Sequence, residues 1–156
     1  MDDLAIARAA HVLAIVYWIG GVAFVTSVLL PAIRDAEPEA RLALFERLER
    51  RFGARAKVAV LIAGASGFYM TDRLGAWDRF LEARFWWMDA MVAVWVLFAL
   101  VLFVAEPLFL HAWFRRFSAR APEDSFKVLQ NLHYVLLTAS LVTAAAAVLG
   151  AHGGLP

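Results

Sequence analysis

The sequence predicts an all-α integral membrane protein, a four-helix up-and-down bundle in which residues 1–156 form one domain. Hydrophobic residues make up 63% of the chain, whereas about half is usual for a soluble domain. The excess is concentrated in four long apolar segments that show little strand-like alternation. Because lipid cannot satisfy backbone hydrogen bonds, such segments are expected to be helices, and their short connections make neighbouring helices antiparallel.

The four apolar segments cover residues 5–33, 54–71, 84–114 and 125–151. Each meets or approaches the roughly 20 residues that cross about 30 Å of hydrocarbon. Asp2 and Asp3 occupy the place of the basic residues of a signal peptide, so the first segment is expected to be a span. Apolar residues at three-to-four spacing within 38–53 predict an amphipathic cytoplasmic helix. For such a helix, a solvated extension on the lipid headgroups is commoner than a partner-binding role.

The distribution of basic residues predicts the orientation. Eleven Lys and Arg residues lie in or beside the first and third loops, and four lie on the other side. The positive-inside rule therefore predicts a multi-pass protein of the cytoplasmic membrane with both termini outside. Since these residues bracket the spans as topology requires, they give no indication of nucleic-acid binding. A homodimer or a larger membrane complex stays open.

Ionisable residues inside a span are costly and are functional candidates by default. Five such residues are the candidates: His11, Asp89, Glu106, His111 and His133. Pro107 follows Glu106 and is expected to kink the third span. The absence of cysteine excludes thiolate-bound metals, iron–sulfur clusters and c-type haem, but it does not exclude haem b.

Haem b needs imidazole ligands, a slot between helices and basic groups for its propionates. We expect such a site to be formed by His11, His111, His133, Trp18, Arg51 and Arg55. Depth along the helices favours His111 and His133 as the ligand pair, and the sequence leaves the axial ligands open. A haem here predicts intramembrane electron transfer or redox chemistry, with a quinone or another redox partner.

A second set of residues belongs to the predicted outer end of the bundle: His11, Met70, Met88, Asp89 and Met91. Thioether and imidazole groups suit copper(I), so the alternative to haem is a membrane protein for copper uptake or handling. Methionine also fills gaps in ordinary cores. A third alternative is therefore a structural subunit of a membrane complex, in which the polar residues serve helix packing.

Two stretches resemble the CopD-like four-helix membrane domain. "AAHVLAIVYWIGGVAFVTSVLLPAIR" resembles its opening helix, and the residues on the family pattern are His11, Trp18, Gly20, Gly21 and Pro31. "RFGARAKVAVLIAGASGFYM" resembles its next helix, with Arg51 and Gly67 on the pattern. The likeness covers the first three spans, and it implies the same bundle.

The first helix and "FERLERRF" also resemble the HemJ-type protoporphyrinogen oxidases, which are thought to hold haem b. This resemblance implies that His11 is a haem-linked or catalytic histidine and that the chain is a haem-dependent membrane oxidoreductase. Both families tend to have a lysine where this chain has Asp89. The reversed charge argues against HemJ-type activity.

Overall fold

The computed structural model describes residues 2–110, 112, 116–117 and 122–154. These residues form helices and turns with no strand, which confirms the predicted all-helical class for the described part of the chain. The elements are α1 (Asp3–Phe24), a π-helical segment (Val25–Leu29), α2 (Leu30–Asp35), α3 (Pro38–Arg73), two 3₁₀ turns (Trp77–Leu81 and Ala83–Phe85), α4 (Trp86–Leu100), a second π-helical segment (Val101–Leu110) and α5 (Pro122–Ala151).

Within the part of the chain that the structure describes, three helical stretches are long and apolar enough to cross a membrane: Asp3–Asp35, Ala83–Leu108 and Asp124–Ala151. Large apolar side chains cover their outer faces, and Leu13, for example, is 69% exposed. A surface of this kind is stable in lipid and would aggregate in water. These helices indicate a membrane protein. The predicted second span lies in the second half of α3, and Arg55 and Lys57 stand near its start.

Residues 38–53 and the predicted second span form one continuous helix, the 36-residue α3. The apolar side chains of its first half pack around Ile33 of α2 and Phe126 of α5. The rings of Phe45 and Phe126 meet edge to face, with centroids 5.9 Å apart. The apolar face of this segment therefore packs against the protein's own helices.

The centre of the bundle is the contact between α1 and α3. Trp18 of α1 packs with Ala59, Val60 and Ala63 of α3, and Phe98 of α4 closes the cluster. Alanines at four-residue spacing let the two backbones approach closely, which is the usual means of helix association in lipid.

The helical segment after α4 has the wider turns of a π-helix at the position where the sequence predicts a kink. Pro107 lies inside the π-helical segment Val101–Leu110. A proline has no N–H to donate, and its ring crowds the carbonyl one turn earlier. The wider π turn accommodates both effects, and π segments are frequent at functional sites. The altered turn places Glu106 against α3.

Candidate functional site

A cavity of about 210 Å³ lies between the long helices, toward the end of the bundle where α3 begins. Most of its wall is apolar. The wall includes Trp18 and Val22 from α1, Phe52 and Ala56 from α3, Phe98 from α4, Leu102 from the π-helical segment after α4, and Leu132 and Leu136 from α5. Four ionisable side chains also reach it: Glu46, Glu49, Glu106 and His133. An apolar chamber with a few polar groups is the usual form of a ligand site.

His133 is fixed within this wall by a hydrogen bond to its own helix. Its Nδ1 lies 2.9 Å from the carbonyl oxygen of Leu129. Because a carbonyl only accepts, Nδ1 must carry the proton and donate it. In the neutral ring Nε2 then has a free lone pair, and it makes no hydrogen bond within the described residues. Histidines that ligate metals are held in the same way, with one nitrogen bonded to a carbonyl.

Trp18 contributes a second unused polar group to the cavity wall. The residue is 2% exposed, and its ring stands edge to face with Phe98 at a centroid distance of 4.8 Å. The buried indole Nε1 has no hydrogen-bond partner among the described residues. Leaving such a donor unpaired costs about 1–3 kcal/mol. An acceptor atom on a bound ligand would recover that cost.

Glu106 is held by Lys57 across the boundary between α3 and the π-helical segment. Lys57 Nζ donates to Glu106 Oε1 at 3.2 Å, and the two side chains are 28% and 16% exposed. The carboxylate lies against Gly53 of α3, where an added Cβ would stand 3.4 Å from Oε1, in ordinary van der Waals contact. In the sequence, Lys57 contributes only to the predicted orientation. The sequence nevertheless contains a signal for the Lys57–Glu106 pair, because each of these ionisable residues stands in an apolar stretch and therefore needs a partner.

His11 lies outside the cavity wall, in the contact between α1 and α3. Its Nδ1 donates to the carbonyl oxygen of Ala63 at 2.9 Å and lies 3.1 Å from Ser66 Oγ. The ring rests over Gly67, where a Cβ would stand 3.1 Å from the His11 Cε1 atom. In this position the imidazole joins two helices. The structure therefore separates His11 from His133, and His111 lies outside the described residues.

The two arginines expected to hold haem propionates face away from the cavity. Arg51 and Arg55 are exposed, and Arg55 lines a groove on the outside of α1 and α3. At the cavity itself the structure places the carboxylates of Glu46 and Glu49. Helical periodicity could have indicated that the two arginines point away from the cavity. Arg51 and Arg55 are one turn apart on one face of α3, whereas Phe52, which lines the cavity, lies on another face.

The residues of the predicted copper set occupy different helix contacts. Met88 and Met91 pack with Ala146 between α4 and α5, whereas His11 faces α3. Asp89 is exposed, and Met70 is partly buried. Among the described residues, no three His, Asp or Glu side chains are grouped so that they could hold a metal ion.

Comparison with known protein families, with curated proteins and with solved structures finds no match to this chain. The cavity, with the free Nε2 of His133 and the unpaired Nε1 of Trp18, is the feature on which a function is proposed here.

Proposed function

We propose that this chain is a multi-pass protein of the cytoplasmic membrane, with four spanning helices and both termini outside, that binds haem b in its interior cavity. The lysine in α3 does not prevent that helix from spanning. Lys57 is paired with Glu106, which lowers the cost of placing either charge near the hydrocarbon. The close contact of α3 with α1 along Ala59 and Ala63 supports its place inside the bundle.

The observation that carries the haem proposal is the orientation of His133. Its Nδ1 is already bonded to Leu129, so Nε2 is the nitrogen offered to a ligand. The wall around it is almost entirely apolar, as a porphyrin ring requires. The cavity of about 210 Å³ would have to widen to admit the ring, since ligand pockets measure roughly 300–1,000 Å³. Haem b would supply one-electron chemistry when bound, and the protein would then carry electrons within the membrane. Lys57 donates to Glu106, which lines the cavity, whereas Arg51 and Arg55 lie elsewhere.

A second candidate, a membrane quinone, is favoured by Trp18. Its buried indole N–H would donate to a quinone carbonyl, and His133 Nε2 would accept from a quinol hydroxyl. A quinol would thus satisfy both unused groups at once, because its hydroxyl oxygens accept a hydrogen bond as well as donate one, whereas a quinone would satisfy Trp18 alone. The apolar wall would accommodate the ring and part of its isoprenoid tail.

A reduced-minus-oxidised visible spectrum of the purified protein tests the haem proposal. We expect a Soret band that shifts on reduction with dithionite and that His133→Ala abolishes or moves. His152→Ala is the matched control, because His152 Nδ1 makes the same bond to the carbonyl one turn earlier, 2.8 Å from Val148 O, but on an exposed end of α5. Colourless protein would refute haem binding. A spectrum unchanged by His133→Ala would remove His133 as the ligand.

Organic extraction of the purified protein, followed by chromatography, tests the quinone candidate. We expect co-purifying quinone whose amount falls in both Trp18→Phe and His133→Ala and is unchanged in His152→Ala. Protein without haem and without quinone would contradict both proposals. That result would favour a structural subunit of a membrane complex.

A further inference from the structure

A groove of about 640 Å³ runs along the lipid-facing side of the α1–α3 contact. Its floor is formed by small side chains, among them the buried Ala14 and Ala59. Its rims are large apolar side chains such as Leu13 and Val58, which are 69% and 56% exposed. The groove exists because alanines on both helices leave a depression between taller neighbours. Its shape and apolar lining suit a hydrocarbon chain.

Positive charge is present at one end of this groove. Arg55 and the exposed Tyr17 line that end, and Arg55 is the one charged residue among the lining residues. Arg51 lies one turn further toward the start of α3 on the same helix face, and it is also exposed. Neither arginine has a hydrogen bond or an ion pair within the described part of the chain. Two guanidinium groups without carboxylate partners complement a phosphate.

The depth of Arg55 in the bundle matches the headgroup region of the cytoplasmic leaflet. The opposite end of α3 is marked by Arg73, which pairs with Asp3 at 2.9 Å. Eighteen residues separate Arg55 from Arg73, about 27 Å at 1.5 Å per residue. This is close to the roughly 30 Å thickness of the hydrocarbon core. If Arg73 lies at the outer edge, Arg55 lies at the inner edge, where anionic lipids carry their phosphates.

We infer that this groove is a binding site for an anionic glycerophospholipid, whose phosphate contacts Arg55 and Arg51 and whose acyl chain lies along the alanine floor. The inference rests on the membrane orientation proposed above and is independent of any cofactor. It also gives a role to the two arginines that the haem prediction assigned to propionates. Tyr17 stands at the same end and adds a hydroxyl group for the headgroup.

Native mass spectrometry of the full-length protein tests this inference, with phosphatidylglycerol and phosphatidylcholine of identical acyl chains as competing probes. We expect preferential retention of phosphatidylglycerol. A surface arginine contributes about 1 kcal/mol to the binding of an anionic lipid. Arg55→Gln should therefore lower the affinity for phosphatidylglycerol about fivefold, and the double variant with Arg51→Gln should lower it about 25-fold. Ala54→Leu, which fills the groove but keeps both arginines, should weaken both lipids.

Arg50→Gln is the matched control, since Arg50 is exposed but points about 100° away from Arg51 around the helix. It should leave the lipid preference unchanged. Equal retention of the two lipids, or equal losses in Arg50→Gln and Arg55→Gln, would overturn the inference. Displacement of phosphatidylglycerol by inorganic phosphate alone would also overturn it, because the site would then recognise a free anion. Membrane fractionation tests membrane insertion, and the visible spectrum tests haem binding. Failure of either proposal can therefore be distinguished from failure of the lipid site.

Discussion

The pairing of Lys57 with Glu106 makes a quantitative prediction about the interior of the bundle. At the 3.2 Å separation of Nζ and Oε1, two unit charges attract by about 5 kcal/mol for an effective dielectric constant near 20. Desolvation offsets most of this attraction, because both side chains are largely buried. We expect a net coupling of about 1–3 kcal/mol. Lys57→Met and Glu106→Gln should therefore each destabilise the protein, and the double variant should lose less than the sum.

A double-mutant cycle measures this coupling, with equilibrium unfolding of the four proteins in mixed detergent micelles at neutral pH. Lys127 and Asp124 provide a control cycle, since they form an i,i+3 pair at 3.7 Å with both side chains more than half exposed. Exposed pairs of this kind contribute no more than about 0.5 kcal/mol. Single-variant losses at Lys57 and Glu106 that simply add would refute the argument that the cavity wall depends on this pair.

Three further predictions concern packing and the unused donor. Gly67→Val should destabilise the bundle by about 1–3 kcal/mol, because an added Cβ at Gly67 would stand only 3.1 Å from the His11 ring. Gly20→Ala, whose added Cβ has no atom within 4 Å, should leave the thermal denaturation midpoint almost unchanged. Phe126→Ala should cost about 3–5 kcal/mol and should accelerate hydrogen exchange in the first half of α3, since Phe126 is 1% exposed; unchanged exchange would contradict the packing of that segment. Trp95→Phe should lower the free energy of unfolding by about 1–3 kcal/mol more than Trp18→Phe in ligand-free protein. The Trp95 indole donates to a carbonyl oxygen at 2.8 Å, whereas the Trp18 indole has no acceptor among the described residues. Equal unfolding midpoints of the two variants would refute this comparison.

The separation of His11 from His133 shows why the candidate site could be predicted only in part. Helical periodicity correctly indicated that both rings turn toward other helices, because an imidazole exposed to hydrocarbon is costly. Periodicity gives the face of a helix but not the neighbour that the face meets. His11 meets Ala63 and Ser66 of α3, while His133 meets the cavity. That difference depends on the lateral order of the helices.

The cavity itself was beyond reach of the sequence. It depends on the π-helical segment around Pro107, which changes the side chains presented after Val101, and on the packing of the first half of α3 against α2 and α5. The ring of Phe52 closes the cavity wall over Gly21, where it fills the space that the glycine leaves. Phe52 and Gly21 are 31 positions apart, and no local pattern connects them.

The sequence by itself determined that this chain is helical and apolar enough for a membrane, because long apolar runs can satisfy their backbone hydrogen bonds in lipid only as helices. It also determined which few residues are too polar to face hydrocarbon without a reason. The tertiary structure alone decided what each of those residues does. The His11 imidazole bonds a neighbouring helix, whereas the His133 imidazole keeps one nitrogen free beside the cavity. This difference depends on contacts between segments that are distant in the sequence. Local residue spacing does not encode the free energy of such contacts.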